Sequence, residues 1–113
     1  MTKEIFVAII DSGCDFETYD KVAVKLQNDE IKISKQEKVS FEHGNVIGNI
    51  IKDENINIYD IQVFDENLTT TPNHIFGALE YLRDKKLDFL NWGWDLSKTH
   101  KEIKDFYMKL ITK

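Results

Sequence analysis

The chain has 113 residues, 42% hydrophobic and 31% charged, with a formal net charge of −5. That length suits a single domain with a modest core, the acidic balance lacks the basic stripe that nucleic acid demands, and no apolar run approaches the ~18 residues of a membrane span. The single cysteine excludes an internal disulfide, and the apolar run at 5–10 is shorter than a signal-peptide core and ends in Asp11, so the expected compartment is the cytoplasm.

In chain order, Val7-Ala8-Ile9-Ile10-Asp11 climbs into a carboxylate, and Ser12 and Gly13 turn the chain at once. Residues 5–10 read as a strand buried on both faces, ending at or near Asp11. Carboxyl ends of strands are where open α/β sheets bind ligands, so Asp11 stands at a functional edge. From Asp20 to Ser34 two patterns compete. Val22, Val24 and Leu26 alternate with polar neighbours, as do Ile31 and Ile33, and Asn28-Asp29-Glu30 is a turn signal. This favours a hairpin with one wet face over a helix through Tyr19, Val22, Ala23 and Leu26.

Val39-Ser40-Phe41 leads to His43, which starts a helix over about 44–52 whose buried face is expected to be Val46, Ile47, Ile50 and Ile51. Polar residues 53–57 turn, and Ile58–Phe64 is the next strand. After a loop over 65–71, Thr71 suits an N-cap with Pro72 at the first helical position. Ile75, Phe76, Leu79 and Leu82 form the buried face of that helix, which ends at Arg83-Asp84-Lys85-Lys86. Asp88–Trp92 is a further core strand. A last helix follows, with capping-box spacing at Thr99 and Glu102 and an apolar stripe of Ile103, Phe106, Tyr107, Leu110 and Ile111. Strands alternating with helices imply a mostly parallel α/β sheet.

Two stretches carry a family resemblance. Val7-Ala8-Ile9-Ile10-Asp11-Ser12-Gly13-Cys14-Asp15 resembles the aspartate motif of the subtilisin-like serine proteases (subtilases), with Cys14 where an aliphatic residue is usual. His43-Gly44-Asn45-Val46-Ile47-Gly48 resembles the family's histidine motif, H-G-T-x-V-A, with Asn45 in place of Thr and Gly48 in place of Ala. Ile58–Phe64, Ile75–Leu82 and Leu87–Asn91 look like the strand, helix and strand that follow in the family. The likeness covers nearly all of this chain, but only the first half or less of a subtilase domain. It implies a truncated subtilisin-like domain over 1–113: a three-layer α/β sandwich whose core strands are ordered second, third, first, fourth.

The resemblance implies a triad-like pair, with Asp11 orienting and His43 as general base. Ser12, Ser34, Ser40 and Ser97 are the only serines, and none sits in the family's G-T-S-M-A-x-P setting. Without a nucleophile and oxyanion donors the isolated chain is expected to be inactive. A Cys14 thiolate beside His43 is the alternative nucleophile; a small buried hydrophobe is the plainer role. His74 and His100 read as solvated or capping residues, and no cluster has metal-ligand spacing, so neither metal nor cofactor is expected. In subtilases the small-residue segment after the last of these strands holds the substrate backbone. Asn91, Trp92, Gly93 and Trp94 take that place, with Gly93 where serine is usual and Asp95 where glycine is usual. The two tryptophans either cover the core or form an exposed aromatic patch.

Three functions follow. The first is a subtilase-like domain without its own serine, binding a peptide or protein by strand addition at residues 87–94, with a second copy among the expected partners. The second is half of a split peptidase completed by a serine-bearing chain. The third is a receiver-like or other small-ligand α/β domain using Asp11, against which Asp11 and Asp15 lack a receiver's acidic pattern.

Overall fold

A computed structural model of the chain describes residues 4–28, 30–37, 42–64 and 70–92, the side chains of Glu42, His43 and Trp92 excepted. Its elements are β1 (Ile5–Asp11), β2 (Asp20–Gln27), β3 (Glu30–Ser34), α1 (Glu42–Ile51), β4 (Ile56–Gln62), α2 (Pro72–Leu82) and β5 (Phe89–Trp92). They form an α/β fold around one five-stranded mixed sheet, ordered β3-β2-β4-β1-β5. β1 lies parallel to β4 and β5, and β2 parallel to β4; among the described residues only the hairpin pair β2–β3 is antiparallel. With β3 set aside, the order of the other four strands is the expected second, third, first, fourth.

Alternation along the strands sorts the core into two layers. Phe6, Ala8 and Ile10 of β1 pack with Tyr59 and Ile61 of β4, Val24 of β2 and Ile75, Ala78, Leu79 and Leu82 of α2. Val7 and Ile9 pack with Ile58 on the other face, where Ile47 and Ile51 of α1 close over them. The helices thus cover opposite faces, and β1, in the interior of the sheet, is apolar from Ile5 to Ile10 because both faces are covered. The rival helix over 19–26 is excluded: Gln27 pairs with Glu30, and Asn28 takes a left-handed φ of 53° at the tip, which a short polar side chain tolerates.

Several boundaries and faces differ from the sequence reading. β4 begins at Ile56, inside the stretch read as a turn, and ends at Gln62 rather than Phe64. Its start is set by β1, since Ile5 pairs with Ile56. β5 begins at Phe89, because Asp88 caps the entry of β1: its carboxylate Oδ2 accepts from Phe6 N at 2.9 Å. In α1, Val46 and Ile50 are 55% and 77% exposed, contrary to the buried face expected for them. The helix instead turns Gly44, Ile47, Gly48 and Ile51 to the sheet, at i, i+3, i+4 and i+7. The hairpin is wetter than expected: Ile31 and Ile33 are exposed although they share the face of Val24.

α2 matches its reading closely. Thr71 Oγ1 caps it by accepting from His74 N, and Pro72 occupies the first turn. Phe76 is half-buried rather than buried. Tyr81 ties the helix to β2 by donating its phenol to the Asp20 carboxylate. Among the described residues no helix is long and apolar enough to cross a membrane. Val39–Phe41 and the last helix over 99–111, with its Thr99–Glu102 capping box, lie outside the described residues.

Candidate functional site

Asp11 closes β1 on the α1 side of the sheet and is 1% exposed. Its Oδ1 accepts from Ser12 N at 2.7 Å, so the carboxylate braces the turn that follows it. Gly13 then takes φ 95°, a left-handed conformation that only glycine adopts without strain. The turn brings Ser12 and Gly13 under the start of α1: Gly44 N donates to Ser12 Oγ at 3.1 Å. A Cβ on Gly44 would stand 2.0 Å from Gly13 O, so glycine is required by close backbone approach. Asn45 Oδ1 accepts from Asp15 N at 2.9 Å, and Cys14 Sγ donates to Gly44 O at 3.3 Å. The residues of the two sequence motifs are therefore packed against each other at the carboxyl end of the sheet.

The turn is also held from below. Asp60 of β4 is fully buried; its Oδ2 accepts from Cys14 N at 3.0 Å and from Lys21 Nζ at 2.7 Å. Lys21 Nζ donates further to Cys14 O. Two positions on, Gln62 is 2% exposed and bridges two segments. Its Nε2 donates to Ser12 O at 3.0 Å and to Glu37 O at 2.9 Å, while its Oε1 accepts from Glu37 N at 2.9 Å. The amide thus pairs with residue 37 as a strand would, and steadies the Asp11 turn with the same group. A hollow of about 220 Å³ opens nearby, lined by Lys25, Leu26, Phe64 and His74 among others; neither Asp11 nor Asn91 borders it.

His43 is the second residue of α1, adjacent to the Gly44 contact; the pairing of its side chain with Asp11 lies outside the described residues, as do the Trp92 side chain, Gly93 and Trp94. Asn91 is half-buried and lies opposite Ile9, which places it on the same side of the sheet as Asp11. Cys14 is 1% exposed, and burial, followed by the charge of Asp60, pushes its thiol up to about 12. It is a neutral thiol at ordinary pH, which fits the buried hydrophobe and not the nucleophile. Ser12 is buried and its hydroxyl accepts from Gly44 N. His74 has the capping role read for it, its Nδ1 lying 2.7 Å from Thr71 Oγ1; His100 lies outside the described residues. Among the described residues no group of three or more His, Cys, Asp or Glu side chains could hold a metal ion.

Asp60, Gln62 and Lys21 were not singled out from the sequence. The signal was present: two polar residues at alternate positions in Ile58–Phe64, hence on one face of a strand that is otherwise apolar. Buried polar groups persist only when hydrogen-bonded, and here their partners are the backbone of the Asp11 turn. No family model matches the chain, and no curated protein and no solved structure matches it.

Proposed function

We propose that this chain is a subtilase-like domain that binds an extended peptide or protein segment and has no serine of its own with which to cleave it. The observation that carries the reading is the junction of β1 and α1. A buried aspartate ends an interior parallel strand, and the helix with His43-Gly44 in its first turn packs on the turn after it so closely that only glycine fits at 44. The order of the parallel strands supports the same reading. Asp11 is assigned the orienting carboxylate and His43 the base. The segment 91–94, leaving the strand beside β1, is assigned to the peptide, which would add along β5. The hydroxyl of Ser12 is buried, the Cys14 thiol is neutral, and Ser34 lies on β3, three strands from Asp11, so cleavage at this site would require a serine from outside the described residues.

The test has two arms. The chain, incubated with casein, peptide esters and a fluorophosphonate probe, is expected to remain unlabelled and to cleave nothing. Stoichiometric labelling of a serine, abolished by His43→Ala, would identify it instead as a peptidase in its own right. In the second arm, titration with extended peptides is followed by amide NMR. The expected shifts fall on Phe89–Trp92 and the Asp11 turn; shifts confined to other elements, or none, would sink the binding reading. Recovery of cleavage on adding a serine-motif chain would move the assignment to the split peptidase.

A further inference from the structure

The opposite edge of the sheet has its own chemistry. Among the described residues β3 pairs only with β2, so its outer row of N–H and C=O groups has no strand beside it. Ile31 and Ile33 are 43% and 42% exposed, and Leu26, directly across from Ile31, is 37% exposed. All three lie on the α2 face: a Cβ on Gly77 of α2 would meet both Ile31 and Val24, and Val24 is the partner of Ile33. α2 therefore reaches the hairpin at Gly77 and leaves the outer part of an apolar row uncovered. Lysines are the usual guard of such an edge. Here the guard is weakened, because Glu30 lies 3.6 Å from Lys32 on the same strand.

We propose that β3 is a self-pairing edge, through which two copies of the chain join antiparallel to make one continuous sheet. The sequence of the edge selects the register. A twofold axis normal to the sheet must pass through a residue, since opposed side chains share a face. Centred on Lys32, the register opposes two lysines, which is destabilising. Centred on Ile33, it sets Ile31 against the partner's Lys35, past the end of β3 at Ser34, and pairs no opposite charges. Centred on Ile31, it sets Ile31 against the partner's Ile31 and, on either side, Lys32 of one copy against Glu30 of the other, all within β3. Opposite charges then face each other, and the exposed Leu26 and Ile31 of the two copies become one cross-sheet row. The occupant that fits this edge is a second copy of this chain.

Sedimentation equilibrium over a dilution series is expected to show dimers that dissociate on dilution. Ile31→Lys should weaken them on the order of tenfold or more, and Phe89→Lys, on the far edge, should leave them unchanged. Because a lysine at 31 could also disturb folding, the register has a separate check in a Cys14→Ala background. Ile31→Cys should cross-link under mild oxidation, as directly opposed residues have Cα atoms ~4.5–5.5 Å apart, within disulfide reach. Lys32→Cys, facing the partner's Glu30, should not. A wild type monomeric at every concentration would overturn the proposal. So would a dimer lost in Phe89→Lys but kept in Ile31→Lys, or protection from exchange, within the monomer, of those β3 amides that do not bond to β2.

Discussion

Replacing Gly44 by alanine tests whether close packing of α1 on the Asp11 turn is what joins the two motifs. The added Cβ would fall 2.0 Å from Gly13 O and 3.1 Å from Ser12 Oγ. The nearer obstacle is backbone of the braced turn, which cannot swing away as a side chain can, so the helix start must retreat by on the order of 1 Å. Retreat of that size breaks the bond from Gly44 N to Ser12 Oγ and that from Asp15 N to Asn45 Oδ1, and loosens the thiol contact to Gly44 O. At about 0.5–1.5 kcal/mol net per bond, the loss is about 2–3 kcal/mol. Overpacking adds about 1 kcal/mol or more, and better helix propensity returns up to about 1 kcal/mol. The expected net loss is about 2–3 kcal/mol, a large share of a small domain's stability. Urea unfolding should show it as a fall in midpoint on the order of 1 M with little change in slope. Gly48→Ala is the control: its Cβ would meet Phe16 Cζ at 2.5 Å, the far end of a ring that can turn aside. A Gly44→Ala variant as stable as wild type or more so, which is what propensity alone would give, would refute the reasoning.

Lys21→Met should cost about 3 kcal/mol in thermal or urea unfolding, because it leaves the fully buried Asp60 carboxylate without its cation; Lys21→Met with Asp60→Leu should recover part of that loss, and a neutral single variant would show the pair to be idle. Cys14, Tyr59 and Tyr81 all have their pKa values pushed up, first by burial in each case. Each binds its proton more tightly folded than unfolded, so its contribution is complete below the unfolded pKa and is lost as pH rises toward the folded one. Stability should therefore decline on raising the pH from 9 towards 12, and Cys14→Ala should make that decline shallower; equal slopes in the two proteins would show the thiol to be uninvolved.

Much of the fold was legible because its signals are local. The apolar run ending at Asp11, the alternation on either side of Asn28-Asp29, and Thr71-Pro72 ahead of an apolar stripe each specify an element from its own residues. The errors share a cause: they occur where a distant neighbour decides. Ile56 and Asn57 look like turn residues until β1 supplies a parallel partner. Val46 and Ile50 look buried because apolar periodicity counts large residues, whereas α1 approaches the sheet through its glycines, whose value lies in the side chain they lack. At the site, Asp11 was visible from its place after the run. Asp60 and Gln62 were not, since their partners are backbone atoms of residues 12, 14 and 37, about 25 to 50 positions away.

The insertion of β4 between β1 and β2 has a kinetic consequence. Ile5 finds its partner at Ile56 and Asp20 its partner at Tyr59, so the central ladders close loops of about forty to fifty residues, whereas the β2–β3 hairpin closes one of two. Loop closure must precede the contacts that reward it, so the hairpin should form in microseconds and the central sheet only in milliseconds or longer. During synthesis neither β1 nor β2 has its parallel neighbour until residue 62 has left the ribosome. For that interval β1, the most apolar strand among the described residues, is a nascent segment with both edges open, exposed to the mispairing that a chaperone's shelter prevents.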